Sequence, residues 1–168
     1  MKKITLLFAF IGMITLQSCT VNEVQNTQDN DTISQVFEVT RSFNSANGFT
    51  ANVTFPYTIY SSDMVLVYRL SGVYQGADVW KLLPETYYFN DGTLDFRYDF
   101  DFTKYDAQIY MDGYDLPSVS AAYRTNQVFR IVIIPAGFLN KNSFSDYSNY
   151  NKTLEAFHIK ADNIIKVN

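Results

Sequence analysis

Cysteine, histidine and glycine are scarce in this chain, and each shortage excludes a class of site. Cys19 is the only cysteine among 168 residues, so no intramolecular disulfide framework can stabilise the fold. His158 is the only histidine, which excludes a zinc site built on several histidines and obliges any Ser–His–Asp triad to use it. We interpret His158 as a surface or capping residue behind a helix. The seven glycines never occur as Gly-x-Gly, so the glycine-rich loop of dinucleotide-binding folds is excluded.

Charged residues are also few, at 18% of the chain, and their balance is acidic, with 13 Lys and Arg against 17 Asp and Glu. Proteins that bind nucleic acid need clustered basic residues, and no basic stripe occurs here. We therefore expect no nucleic-acid partner. The 47% hydrophobic and 17% aromatic residues suit one packed domain rather than a disordered chain.

A hydrophobic run long enough to span a bilayer is missing as well. The longest apolar stretch covers residues 4–16 and is interrupted by two threonines and a glycine. It is too short for a transmembrane helix but suits the hydrophobic region of a secretory signal, with Lys2 and Lys3 as the positive region before it.

Residues 16–19, Leu-Gln-Ser-Cys, resemble the lipobox of bacterial lipoproteins. In that family the cysteine thiol receives a diacylglyceryl group, a dedicated peptidase cuts before the cysteine, and the new amine is acylated. The resemblance implies cleavage between Ser18 and Cys19 and a covalent lipid on Cys19, whose thiol supplies the nucleophile. Acyl chains at ~0.8 kcal/mol per buried methylene make such an anchor effectively permanent. An ordinary secretory signal with an incidental cysteine is the alternative.

The chain after the cysteine begins with a polar segment, residues 20–32, that shows no apolar period. We interpret it as a tether that holds the following domain on the order of 20 Å from the bilayer. Thr32, between Asp31 and Ile33, resembles a short O-glycosylation acceptor of Bacteroidetes, and an unmodified linker is the alternative. The expected organisation is a signal peptide at 1–18, a lipidated cysteine and flexible tether at 19–32, and one domain at 33–168.

From Ile33 onward the dominant hydrophobic period is two, the period of a β-strand. The clearest case is residues 90–102, NDGTLDFRYDFDF, in which Asp-Gly predicts a hairpin turn and five large side chains alternate with charged ones. We expect the five to be buried and the charged residues to face solvent. Pro56 has no backbone N–H to donate to a neighbouring strand, so the strand around it is expected at a sheet edge or to carry a bulge.

Strands are predicted at short intervals with no helices between them. They cover residues 36–40, 50–60, 64–71, 79–83, 86–89, 94–102, 107–111 and 127–134. This spacing predicts a mainly β fold, an antiparallel β-sandwich of about 7–9 strands, either Ig-like or jelly-roll-like. A helical period in residues 151–158 predicts a short C-terminal helix, followed by an extended segment at 163–167; residues 118–124 suit one further helical turn.

Several segments together are similar to a group of small lipoproteins from Flavobacterium-type Bacteroidetes. They are the lipobox, SQVFEV, SDMVLVYRLSG, VWKLLPETYYF, DFRYDFDF and TNQVFRIVIIP, which cover most of the chain after Cys19. The resemblance implies a lipid-anchored protein in the outer membrane of a Gram-negative bacterium, on its surface or its periplasmic face. Some members carry the label dihydrolipoamide dehydrogenase, but the dinucleotide loop and redox cysteine pair of that enzyme are missing here.

Two groups of residues are candidates for a binding site. Tyr74, Trp80 and Tyr88 would form an aromatic platform for a glycan if they face solvent, and core packing is their alternative role. Asp112 and Asp115, with Asp106 nearby, would supply carboxylate oxygens to calcium, and a solvated acidic surface is the alternative.

We therefore expect a lipid-anchored cell-envelope protein that acts as a structural or accessory interaction domain. A surface module that binds a glycan or calcium is the alternative. The expected partners are the membrane, through the lipid, and an envelope protein or glycan. We expect no catalytic residues and no cofactor beyond the covalent lipid and, in the alternative, calcium. The one enzyme class left open is a carboxylate-based hydrolase, which needs two carboxylates facing each other in a cleft.

Overall fold

The computed structural model describes residues 33–139, 146–160 and 163–167. The predicted signal peptide, its cleavage site at Ser18 and Cys19, the tether and Thr32 therefore lie outside the described residues. Nine strands are described: β1 (Gln35–Arg41), β2 (Thr50–Thr54), β3 (Met64–Tyr74), β4 (Ala77–Leu82), β5 (Glu85–Tyr88), β6 (Leu94–Phe102), β7 (Asp106–Gly113), β8 (Gln127–Ile134) and β9 (Ile164–Lys166).

The strands form two sheets, one of five strands in the order β4-β3-β8-β1-β9 and one of four in the order β2-β7-β6-β5. Neighbouring strands are antiparallel except for β1 and β9, which are parallel. The predicted mainly β sandwich is confirmed. The helices are all short, with two 3-10 turns at Ser45–Asn47 and Leu116–Ser118 and α-helices at Ala121–Arg124, Ala136–Leu139 and Tyr150–Ala156.

Apolar side chains pack in two layers. The larger layer fills the space between the sheets and contains fully buried Val39, Ile109 and Ile131. The smaller layer covers the outer face of the five-stranded sheet, where Leu154 and Phe157 of the C-terminal helix region pack on the strands. The helix predicted at 151–158 is thus present at Tyr150–Ala156, and its apolar side closes this second layer.

Two local expectations need correction. β2 ends at Thr54, two residues before Pro56, so the strand predicted at 50–60 is shorter, although it does lie at a sheet edge. In β6 the side chains of Phe96 and Tyr98 are buried, but Leu94 and Phe102 are exposed. The strand is longer than the core that it crosses. Its alternation therefore predicts which side chains share a face of the sheet, but only those in the middle of the strand are buried.

An ion pair between Arg69 and Glu85 crosses the interior and joins the two sheets, since Arg69 lies in β3 and Glu85 in β5. The guanidinium donates from Nε to Glu85 Oε2 at 2.7 Å and from Nη2 to Oε1 at 3.2 Å, and both side chains are buried. Its remaining donors reach the Tyr87 hydroxyl at 2.6 Å and Gln127 Oε1 at 2.9 Å. A buried charge pair is tolerable when its hydrogen-bonding capacity is filled in this way.

We expect Arg69→Met to lower the free energy of unfolding by about 3–5 kcal/mol, because it leaves the Glu85 carboxylate buried without its main partner. Urea unfolding followed by circular dichroism measures this. The matched control is Arg97→Met, since Arg97 pairs with Asp112 at 3.1 Å on the solvent-facing side of β6. Exposed pairs contribute roughly 0–1 kcal/mol, so equal losses in the two variants would contradict the role given to Arg69.

The pKa of Glu85 predicts how stability depends on pH. Burial by itself would raise this pKa, but hydrogen bonds from Arg69 and Tyr87 and the charge of Arg69 lower it below its ordinary value. The pair therefore contributes its full stability above the ordinary glutamate pKa of about 4.3 and loses it as the pH falls below that value. We expect the unfolding free energy of the wild type to fall more steeply than that of Glu85→Gln across this acidic range. Parallel pH profiles would show that Glu85 is not the titrating group.

Candidate functional site

The three residues predicted as an aromatic platform are not brought together. Tyr74 closes β3 and is 69% exposed, and Tyr88 closes β5 in the other sheet. Trp80 lies under the C-terminal helix, with the Arg130 guanidinium 4.0 Å from its ring centre and the Tyr150 ring at 5.4 Å. Trp80 is therefore partly buried against the second apolar layer and does not lie beside Tyr74 and Tyr88 on one exposed platform.

The three aspartates predicted for calcium are also separated. Asp106 opens β7 and Asp112 comes six residues later in the same strand, which places them roughly 20 Å apart. Asp106 accepts hydrogen bonds from Thr103 and Asn52, and Asp112 pairs with Arg97. In the described part of the chain, no group of three or more His, Cys, Asp or Glu side chains could hold a metal ion. The structure therefore places Asp106 away from Asp112, and calcium binding at Asp112 and Asp115 stays a prediction.

His158 follows the C-terminal helix in the left-handed region, at φ 54°, and its backbone N–H donates to the Glu155 carbonyl at 3.1 Å. Its side chain is exposed. This is the helix-terminating position predicted from the sequence.

A polar cavity of about 320 Å³ lies beside β1 and β9, lined by Glu38, Thr40, Arg41, Lys166 and Val167. Among the described residues of this lining Glu38 is the only carboxylate, and it already accepts from Arg130 at 2.9 Å and pairs with Lys166 at 3.6 Å. The described lining thus offers one of the two carboxylates that glycoside hydrolysis needs.

The strand register gives the sandwich two distinct ends. β3 finishes at Tyr74 at the end where β8, its antiparallel neighbour, begins. β5 finishes at the same end, because the ring of Tyr87 contacts Tyr123 at 5.0 Å, just before β8 starts. We call this the loop end. It contains the β3–β4 and β5–β6 turns and the connections 42–49 and 114–126.

The opposite end is the one at which the described chain starts, and we call it the entry end. Ile33 leads into β1 there, since the start of β1 pairs with the finish of β8. The connections 55–63 and 103–105 lie at this end too, joined by backbone hydrogen bonds. Ile33, the first described residue, therefore lies at the end of the sandwich opposite the loop end.

The loop end carries a group of large apolar side chains that face solvent. Tyr114 is the most exposed, at 89%. The full group is Val73, Tyr74, Tyr88, Phe89, Leu94, Tyr114 and Tyr123. The connections that carry them are rich in Tyr, Ser, Gly and Asn, as in GVYQGAD and YFNDGT. Binding loops at the end of a β-sandwich have this composition, because tyrosine offers a large rigid contact area at low entropic cost.

Local sequence fixes the shape of these loops. Gln75 and Gly76 both have positive φ, 50° and 81°, which gives the two-residue hairpin turn that matches the twist of paired strands. Asp91 accepts from the Thr93 N–H and hydroxyl at 2.9 and 2.7 Å and holds the β5–β6 turn. Gly113 has no room for a side chain, since an added Cβ would lie 2.5 Å from the Asp95 carbonyl oxygen.

The buried cluster around Arg69 supports the loop end from beneath. The Tyr98 hydroxyl donates to the Tyr123 carbonyl, and Gln127 Nε2 donates to the Ala122 and Thr125 carbonyls at 2.9 and 2.8 Å. These bonds hold the helix Ala121–Arg124 against the interior. Because this surface is already ordered, binding a partner would not carry the entropic cost of ordering it.

Sequence reasoning found Tyr74 and Tyr88 and missed Tyr114, Tyr123 and Phe89. Phe89 ends the strand predicted at 86–89, Tyr114 follows the one predicted at 107–111, and Tyr123 lies in the helical turn predicted at 118–124. An aromatic residue next to or within a connection was the available signal. Nothing local shows that turns between β5 and β6 and between β7 and β8 meet at one end of the fold.

We expect Tyr98→Phe to loosen the loop end, because the Tyr123 carbonyl loses its hydroxyl donor. Amide hydrogen exchange in residues 121–125 should become faster, and the unfolding free energy should fall by about 1–2 kcal/mol. Tyr114→Phe is the control, since that side chain faces solvent. Unchanged exchange in Tyr98→Phe would mean that the segment is held by its other contacts.

No helix in the described residues is long and apolar enough to cross a membrane. Comparisons of the chain with protein-family models, with curated proteins and with solved structures found no match.

Proposed function

We propose that this protein is a lipid-anchored component of a bacterial cell envelope that binds a partner protein through its loop end. The observation that carries this proposal is the opposition of the two ends. The chain enters at one end of the sandwich, and ordered, solvent-facing tyrosines lie at the other. The lipobox resemblance at residues 16–19 supplies the anchor.

The arrangement suits presentation away from a membrane. A tether of residues 20–32 holds the entry end on the order of 20 Å from the bilayer. β3 extends toward the loop end for 11 residues, about 35 Å. A lipid on Cys19 would therefore leave Tyr74 and its neighbours at the distal surface, free to meet a second envelope protein.

A glycan is the second candidate ligand. Tyr74 and Tyr88 are exposed, as stacking on a sugar requires, but Trp80 is packed against Arg130 and Tyr150. Without the indole ring of Trp80, the predicted glycan platform lacks its largest stacking surface. This favours a protein partner over a glycan. Asp78, Asp91 and Asp115 are exposed at the loop end, so a partner with basic side chains suits it.

The anchor is tested by feeding cells an alkyne fatty acid and coupling a fluorophore to the purified protein. We expect the wild type and Ser18→Ala to be labelled and Cys19→Ser to be unlabelled, because only the thiol can take the lipid. A wild type without label would overturn the anchor.

The partner surface is tested with a photo-crosslinking amino acid placed singly at Tyr74, Tyr88 or Tyr114 in living cells. We expect one discrete adduct shared by the three positions, and its loss when Tyr88→Ser is combined with a crosslinker at Tyr114. Lys152, exposed on the C-terminal helix, is the control position and should give no adduct. Equal adducts at Lys152 and the loop end would contradict a defined surface. Protease treatment of intact cells then tells whether the partner lies outside the cell or in the periplasm.

A further inference from the structure

Exposed aromatic side chains also occur at the entry end, on two connections. Tyr60 lies in the connection 55–63 and is 58% exposed. Phe102 closes β6, and Tyr105 in the turn after it is 53% exposed. Lys104 lies between them, with its ammonium nitrogen 4.9 Å from the centre of the Tyr105 ring.

These two connections are held together, so the aromatic side chains share one ordered surface. The Phe55 N–H donates to the Tyr105 carbonyl at 2.8 Å, and the Ile59 N–H donates to the Lys104 carbonyl at 2.9 Å. Asp63 accepts from the Tyr60 N–H at 3.0 Å. The backbone is therefore fixed before anything binds, and no loop has to be ordered on contact.

The chemistry of this surface suits the boundary between lipid headgroups and acyl chains. Tyrosine has an apolar ring and a polar hydroxyl, and aromatic side chains of this kind are enriched at that boundary. A lysine can lay its apolar stem along the same layer while its ammonium group reaches a phosphate. Tyr60, Phe102, Lys104 and Tyr105 combine these properties.

The position of the surface identifies what covers it. Ile33, the first described residue, lies at the same end and is exposed. Thirteen residues, 20–32, separate it from Cys19. A tether of that length keeps the entry end at a local concentration near the bilayer in the millimolar range, so a weak affinity is enough for contact.

We propose that the entry end docks on the bilayer that holds the Cys19 lipid, with Tyr60, Phe102, Lys104 and Tyr105 in the interfacial layer. This inference rests on the proposed lipid anchor. Docking orients the domain, since an end held at the membrane directs the loop end outward rather than leaving it to tumble on its tether.

The test uses the full lipidated chain, purified in detergent and reconstituted into vesicles of phosphatidylethanolamine and phosphatidylglycerol that contain spin-labelled lipid. A fluorophore is attached at Ser61→Cys, next to Tyr60, or at Ala46→Cys in the loop end; both positions are exposed. We expect the spin label to quench the fluorophore severalfold more at position 61 than at position 46. Adding Tyr60→Ser and Tyr105→Ser should bring the quenching at position 61 down to that at position 46. The matched control, Tyr88→Ser with Tyr114→Ser, should leave it unchanged.

Other outcomes overturn the proposal at different steps. Equal quenching at the two positions would show a domain that tumbles, and stronger quenching at position 46 would show that the loop end faces the membrane; both refute docking and leave the anchor intact. Quenching at position 61 that persists without the two tyrosines would refute their role. Mass spectrometry of the same sample reports the lipid on Cys19, and its absence would overturn the anchor together with this inference.

Discussion

The buried ion pair between Arg69 and Glu85 links the two sheets across the interior of the sandwich. It joins β3 of one sheet to β5 of the other in a space otherwise filled by apolar side chains. Glu85 also pairs with the half-exposed Lys81 at 3.1 Å, but Arg69 supplies two of its hydrogen bonds, and breaking a buried pair costs several kcal/mol. The pair therefore fixes how the sheets sit on each other, and Gln127 and Tyr98 extend its network to the segment that carries Tyr123.

A second polar cluster, on the outer face of the five-stranded sheet, joins that sheet to the C-terminal helix. The Arg130 guanidinium lies 4.0 Å from the ring centre of Trp80 and 5.2 Å from that of Tyr150, and it donates to Glu38 at 2.9 Å. It ties the C-terminal helix to the outer face of the five-stranded sheet. This explains why the only tryptophan of the chain is packed against the protein, since an aromatic ring over a desolvated guanidinium contributes more in that position than in water.

The Arg69 cluster holds the segment that carries Tyr123 at the loop end, and the Arg130 cluster holds the C-terminal helix through Tyr150. The loop end and the entry end consist of connections, whose backbone is held by turns such as Gln75-Gly76 and by bonds such as Ile59 to Lys104. A rigid sandwich between two ordered ends can hold one end at a membrane and present the other to a partner. In the proposed arrangement, the length of the sandwich would set how far from the bilayer the partner is met.

The strands and turns could be predicted from the sequence alone. Alternating apolar residues placed β6 and a nearly continuous apolar run placed β8, both with the observed bounds, Asp91-Gly92 placed a hairpin, and Pro56 marked an edge, because period and turn chemistry are local properties. The resemblance of residues 16–19 to a lipobox is likewise a property of the sequence. Which side chains share a surface depends on the fold. Trp80 packs partly buried beside Tyr150, Asp106 and Asp112 lie apart along one strand, and Tyr114 and Tyr123 lie at the same end as Tyr88, because strand order and register depend on contacts between distant residues.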